Sequence, residues 1–201
     1  AVLGLVQLGT LELHVWAARR DRLDRPDRLL FDLDPDEALP FGRVAKAAEE
    51  MRTLLDELGL ACFPKLTGGK GMHIVVPIDR RSDWDEARAF ARAVAERLEA
   101  EDPDGYTTDN DKEKRKGKIF IDYLRNARNA TTVADYSPRA REGAPVAVPI
   151  AWDEVNPRAK KPTRYSITEV PDRIEEGAPW EGLDDVRQSI TQAMRDALAV
   201  D

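Results

Sequence analysis

The sequence predicts an α+β fold, a largely antiparallel or mixed sheet flanked by helices, in a single domain over residues 1–201. Three observations predict it. Short apolar, strand-like runs end abruptly in polar residues at Leu29–Leu33, Ala61–Leu66, His73–Ile78 and Lys118–Tyr123. Between them lie two stretches whose apolar residues recur at helical spacing. No internal repeat, low-complexity tract or dividing linker interrupts the chain. Strands and helices mixed in this order favour a sandwich of helices on a sheet.

The elements follow in order. Residues 1–8 read as the end of a truncated helix, and Leu11, Leu13 and Val15 as a short strand. Leu29–Leu33 reads as a buried strand ending at Asp34-Pro35. A helix is expected from Phe41 to Leu58, because Val44, Ala47, Ala48, Met51, Leu54, Leu55 and Leu58 share one face. Gly59 is its natural stop. Two strands then flank a glycine-rich loop. Ser82 is the expected N-cap of a second helix, with Asp83, Asp85 and Glu86 in its first turn. Ala87, Phe90, Ala91, Val94 and Leu98 form its apolar face. A polar, basic loop (101–117) precedes the strand Lys118–Tyr123. Short strands are expected near 131–136 and 146–150, and a last amphipathic helix over Leu183–Val200.

Bulk properties narrow the classes. A chain of 201 residues is long enough for one well-buried domain. The apolar fraction of 42% and charged fraction of 34% exclude a disordered chain. No apolar run is long enough to cross a bilayer, and no signal peptide is visible. The single Cys62 fits a reducing cytosol. A net charge of −7 argues against a nucleic-acid partner, but its distribution softens the objection. Lys112, Lys114, Arg115, Lys116, Lys118, Arg125 and Arg128 crowd one stretch; Arg158, Lys160, Lys161 and Arg164 crowd another. Either run also suits a plain solvated face.

Asp32 and Asp34 carry the first chemical signal. Two residues apart on a strand, their carboxylates project from one face while Phe31 and Leu33 turn to the core. Two carboxylates about 4 Å apart repel by roughly 4 kcal/mol at an effective dielectric of 20, and a bound cation relieves this. All-oxygen ligands select hard ions, magnesium or manganese. An exposed acidic turn before Pro35 is the plainer reading. Asp122 ends the apolar run Ile119-Phe120-Ile121 and shares a face with Phe120, where an unpaired charge is costly. Beside the first strand it would complete a three-carboxylate site for two-metal phosphoryl transfer. A salt bridge to Arg125 or Arg128 explains it equally well.

Thr67–His73 is glycine-rich without being a Walker A loop, because Gly71 and Met72 follow Lys70 and the chain continues as a strand. Gly68 and Gly69 let backbone N–H groups approach phosphate oxygens, and Lys70 adds a point charge. His73, at the mouth of the next strand, is placed to meet a phosphate or sugar oxygen. A hairpin with an incidental lysine is the rival. His14 and its polar neighbour Glu12 are ambiguous on sequence alone.

Together these segments resemble the polymerase domain of bacterial ligase D, within the archaeo-eukaryotic primase superfamily. The resemblance runs through Glu12–Trp16, Asp24–Arg28 into Phe31–Pro35, Lys65–His73, Arg115–Asn126, Tyr136–Arg141 and Trp152–Glu154, in order and over almost the whole chain. It implies an RRM-like mixed sheet flanked by helices. It implies that Asp32, Asp34 and Asp122 bind two manganese or magnesium ions. By the same resemblance Thr67, Lys70 and His73 bind the triphosphate, His14 contacts the sugar, and Arg115 and Arg139 lie around the nucleotide and primer–template. Thr67 stands where the family usually has Ser and keeps the hydroxyl; Val15 replaces a usual Pro. The family domain also has a portion before the first His motif, so a truncated domain is expected, with DNA-end binding affected.

The implied activity is addition of NTPs or dNTPs to a primer 3′-hydroxyl in end-joining repair. Its partners would be primer–template or broken-end DNA, Ku and a ligase module, in the bacterial cytoplasm near the nucleoid. Two other readings stay open. One is a phosphohydrolase with Asp32 as nucleophile and Asp34 as acid/base, although Asp36 stands where such enzymes usually carry Thr or Val. The other is a non-catalytic nucleic-acid-binding remnant.

Overall fold

A computed structural model describes residues 2–177 and 179–199. The elements, in order, are α1 (Val2–Gln7), β1 (His14–Val15), β2 (Arg28–Pro35), α2 (Phe41–Glu57), β3 (Phe63–Leu66), β4 (Met72–Pro77) and α3 (Trp84–Glu101). They continue with β5 (Tyr106–Thr107), β6 (Ile119–Asp122), β7 (Thr132–Val133), β8 (Pro145–Val146), β9 (Val148–Pro149), β10 (Tyr165–Ser166), α4 (Val170–Glu176) and α5 (Gln192–Ala197).

The main sheet has the strand order β5-β6-β2-β4-β3-β9. All its pairings are antiparallel except β5 with β6, so the sheet is mixed as expected. Alternation along β2 divides the two faces. Leu29, Phe31 and Leu33 sit opposite Val76, Ile74 and Met72 of β4, and Leu33 sits opposite Ile121 of β6. All of these join the core beneath α2 and α3, with Val44, Ala48 and Met51 from one helix and Phe90, Ala91 and Val94 from the other. Each fully buried side chain of this size contributes about 1.5–3 kcal/mol by leaving water. The residues between them, Asp32, Asp34, His73 and Asp122, belong to the opposite face of the sheet.

Several expectations need correction. The first strand is confined to His14–Val15, paired with β7; Leu11 is exposed and Leu13 instead gives its amide to the Ser137 hydroxyl. Ser82 does not cap α3. Asp83 does, accepting from the Glu86 amide while Glu86 accepts from the Asp83 amide, a reciprocal capping box. The last helix is far shorter than Leu183–Val200. Residues 183–185 form one 3₁₀ turn, α5 spans only Gln192–Ala197, and Val200 lies outside the described residues. The cause is tertiary: the Gln188 side chain bonds the Ala61 amide and carbonyl at 2.9 Å and the Pro77 carbonyl at 2.7 Å, holding that stretch extended. The basic loop contains β5, and the tail contains α4.

Candidate active site

β2 presents Asp32 and Asp34 on the face turned away from α2 and α3. The antiparallel register of β6 sets Asp122 opposite Asp32 and Phe120 opposite Asp34. On the other side, β4 sets His73 opposite Asp32, and β3 sets Lys65 opposite His73. One row across four adjacent strands therefore reads Lys65, His73, Asp32, Asp122. Residues directly opposed in this way have Cβ atoms about 4.5–5.5 Å apart.

The charges in this row are strongly coupled. Burial pushes the Asp32 carboxyl up, but His73, Arg125 and Lys65 outweigh it and hold the group below the usual carboxylate range. His73 Nε2 lies 3.6 Å from Asp32 Oδ1. Asp34 moves the other way: burial and the Asp32 charge raise it against the pull of Arg115. Asp122 is likewise raised by burial, which Arg125 opposes and the Asp32 charge reinforces. One acid ionises readily and its two neighbours resist doing so, as expected of acids clustered without enough positive charge.

Arginines meet part of that need. Arg115 bonds Asp34 and lies over the Phe120 ring, 4.4 Å from its centroid. Arg125 Nε stands 2.9 Å from Asp122 Oδ2, while Asp122 Oδ1 accepts from the Leu124 amide at 2.9 Å. The salt bridge weighed as a rival for Asp122 is thus present, and so is the alignment with Asp32. Among the described residues, no three His, Cys, Asp or Glu side chains converge closely enough to hold an ion as they stand. Arg115 is paired with Asp34 and Arg125 with Asp122 instead. The donor chemistry, three carboxylates on one sheet face with two of them raised in proton affinity, suits hard cations once those arginines yield.

The loop between β3 and β4 borders the row. The Thr67 hydroxyl donates to the Gly71 carbonyl at 3.0 Å and accepts from the Gly69 amide at 3.3 Å, so it braces the turn. A Cβ at Gly71 would lie 2.7 Å from the Leu33 carbonyl oxygen; only glycine lets the loop pass this close to β2. Lys70 is half exposed at the tip, 3.7 Å from Glu37. His73 is buried, and burial lowers its proton affinity more than Asp32 raises it. Its Nδ1 has no hydrogen-bond partner among the described residues.

Glu12 ties three segments together. It bonds His14 Nε2 at 2.7 Å, accepts from the Ala140 amide at 2.9 Å and pairs with Arg139 Nε at 3.0 Å. Burial works against its charge, but these partners hold the carboxyl down to about 2. Arg139 also donates to the Thr67 carbonyl, clamping the glycine loop to the His14 strand.

The resulting cleft, about 570 Å³, is walled by His14, Asp32, Asp34, Thr67, Gly69, Lys70, His73 and Arg139 from the expected set. Gly68, Arg115 and Asp122 stand outside its wall, Arg115 and Asp122 through their ion pairs with residues that line it. Sequence reasoning missed Arg141 and Arg164 as lining residues and placed Arg125 in a basic run and as a salt-bridge partner, not in the cleft wall. It also left the role of Glu12 open. The spacing of two between Glu12 and His14 was the available signal, since residues i and i+2 of an extended segment share a face.

An α+β domain with a carboxylate row on its open sheet face, a glycine–lysine–histidine loop beside it and arginines around both belongs to the class of phosphate-handling domains. The family model described as the LigD primase-polymerase domain matches residues 1–180, and this chain belongs to that family. It is 46% identical over 198 residues to the multifunctional non-homologous end joining protein LigD of Pseudomonas aeruginosa, covering 97% of this chain and 24% of that protein. It is 34% identical over 172 residues to the bifunctional LigD of Bacillus subtilis, covering 85% of this chain and 28% of that one. The chain thus spans about a quarter of the length of these relatives. The solved polymerase domain of Mycobacterium tuberculosis ligase D, in complex with DNA, superimposes with a TM-score of 0.81 at 34% identity, covering 90% of this chain and 66% of that one. The expected fold is therefore correct, and family membership sets aside the phosphohydrolase reading. No helix among the described residues is long and apolar enough to cross a membrane.

Proposed function

We propose that this chain is the catalytic core of a two-metal-dependent primase-polymerase that adds NTPs or dNTPs to a primer 3′-hydroxyl during end-joining repair. The observation that carries this reading is the register of β2 and β6, which sets Asp122 opposite Asp32 with Asp34 on the same face. Asp32, Asp34 and Asp122 would hold two magnesium or manganese ions. The chemistry such ions supply is a lower pKa for the attacking hydroxyl and relief of charge on departing pyrophosphate.

The rest falls to the chain's own residues. Arg115 and Arg125 must swing off Asp34 and Asp122 before those acids can take ligands. Lys70 and the loop amides would orient the β- and γ-phosphates, with His73 beside them at the start of β4. His14, fixed by Glu12, would meet the sugar. Arg139 would act chiefly by holding the loop, because it bonds the Thr67 carbonyl there and is paired with Glu12 on the other side. Primer–template or broken-end DNA is the substrate this reading requires. Ku and a ligase module are the partners this end-joining reading calls for, in a bacterial cytoplasm near the nucleoid.

The test is manganese-supported primer extension by the wild-type chain beside Asp32→Ala and Asp122→Ala. Loss of extension in both is expected, at least a hundredfold. Full-rate extension by Asp122→Ala would remove the third ligand. DNA binding without extension in any form, unchanged by either substitution, would instead show a non-catalytic binding remnant.

A further inference from the structure

A second cavity of about 430 Å³ continues the catalytic cleft on the far side of Lys70. Glu37, Lys70 and Arg164 line both, so the two spaces meet at those three residues. Lys160 and Lys161 form the outer wall of the second, and Leu39 and Pro162 are among its apolar surfaces. Glu37 is the acidic group lining it, and it is almost fully exposed. Among the described residues, Lys160, Lys161 and Arg164 have no acidic partner at ion-pair distance, whereas Lys70 reaches Glu37 at 3.7 Å. In a chain of net charge −7, four cations around one cavity with a single acid form a local reversal of sign.

The wall is built rather than draped. The Gly42 amide donates to the Ala159 carbonyl at 2.7 Å, and the Phe41 amide to the Lys160 carbonyl at 3.5 Å. A Cβ at Gly42 would lie 2.2 Å from the Pro157 carbonyl oxygen, so the segment 157–160 lies directly against the start of α2. The backbone that carries the two lysines is therefore fixed beside the cleft. Their side chains remain exposed to solvent.

We propose that this cavity is a binding surface for an unpaired nucleic-acid strand, the template overhang leaving the catalytic cleft. Lys160 and Lys161 take backbone phosphates, and the apolar surface of Leu39 and Pro162 receives a base. A positively charged groove that tracks the phosphate backbone is a general means of holding single strands without reading sequence; here Leu39 and Pro162 add apolar contact in place of the usual aromatic stacking. The proposal rests on the polymerase reading for the direction of the strand, but its charge chemistry stands independently of catalysis.

The test uses the full chain, the Lys160→Ala/Lys161→Ala double variant and the Lys160→Glu/Lys161→Glu double variant. Hairpin DNA with an overhang of about two or about eight nucleotides is titrated by fluorescence anisotropy at several salt concentrations. Each phosphate contact on a single strand contributes about 0.7 to the slope of log K against log salt, so losing two flattens it by about 1.4. Wild type should favour the long overhang. The alanine variant should lose about three- to tenfold on that substrate alone, and the glutamate variant more.

Equal affinity and slope for all three proteins on the long overhang would overturn the proposal. So would a loss of equal size on blunt duplex, or a change confined to the KM for nucleoside triphosphate, which would mark a triphosphate subsite. Primer extension by wild type separates the two readings. Extension with no effect of the lysine variants sinks this surface alone, while overhang-dependent binding without extension sinks the polymerase reading alone.

Discussion

Asn126 is the side chain on which the geometry of the third carboxylate depends. β6 pairs with β2 only from Asp32 to Pro35, so the ladder would stop one rung short of Leu30. Asn126 supplies the missing rung. Its Oδ1 accepts from the Leu30 amide at 2.8 Å, and its Nδ2 donates to the Leu30 carbonyl at 2.7 Å and the Tyr123 carbonyl at 2.8 Å. The side chain is 1% exposed, so water cannot replace these bonds. Three bonds at about 1 kcal/mol net each give ~3 kcal/mol, and stranding the buried partners adds to that. Asn126→Leu should therefore destabilise by about 3–5 kcal/mol, a fall in melting temperature of roughly 6–20 °C for a domain of this size. Urea unfolding followed by circular dichroism measures it. The same residue closes the turn in which the Leu124 amide bonds Asp122, so extension assayed well below the melting transition should fall as well. A loss under about 1 kcal/mol would show that the Leu30 rung is dispensable and refute the reasoning.

Three other outcomes are expected. Manganese should raise the melting temperature of wild type in a dose-dependent manner, reversed by chelation, by about 2.7 kcal/mol at a hundredfold excess over Kd; an equal rise in Asp32→Ala would sink the ligand assignment. Gly71→Ala forces a Cβ to within 2.7 Å of the Leu33 carbonyl, so the loop must shift. That should cost about 1–3 kcal/mol and raise the KM for nucleoside triphosphate, while an unchanged KM would separate the loop from the substrate. Glu12 has a folded pKa of about 2 against an ordinary 4.5, so its stabilising effect is complete above the higher value and fades as pH falls toward the lower. Glu12→Gln should lower stability near neutrality and converge with wild type below about pH 2; parallel stability curves across that window would contradict the clamp.

What the sequence disclosed followed the physics of each element. β2, β4 and β6 were legible because buried strands leave short apolar runs, and Asp32, Asp34 and Asp122 were legible because they end or interrupt such runs. α2 and α3 were legible because their apolar faces repeat at 3.6 residues. The two residues of β5 carry no comparable signal; they are strand only because β6 lies parallel beside them. The tail misled for a related reason: its amphipathic pattern is real, but three hydrogen bonds from Gln188 to Ala61 and Pro77 outweigh local helical preference. Arg141 and Arg164 were hidden because a cleft wall assembled from distant loops has no sequence period. The alignment of Asp122 with Asp32 was also beyond sequence, since a register one residue different would turn the third acid to the helical core.

That register explains why two arginines attend the site. A row of acids on a sheet face would oppose folding unless positive charge came with it, and Arg115 and Arg125 provide it from neighbouring loops. Each pair keeps one exposed member: the Asp34 side chain is 50% exposed and that of Arg125 44%, whereas Asp122 is only 10% exposed. The Arg115–Asp34 pair, with its acid half exposed, is worth about 0–1 kcal/mol, because solvent screens it and holding long side chains costs entropy, whereas the buried Asp122 needs a replacement partner whenever Arg125 leaves. On the proposed function, replacing a guanidinium by a divalent ion would give up little at Asp34, and each acid would gain a partner of twice the charge. A buried arginine pair in the same place would be expensive to break and would lock the acids away. The partial exposure of these pairs is what lets one arrangement of carboxylates serve the folded chain at rest and remain open to ligands.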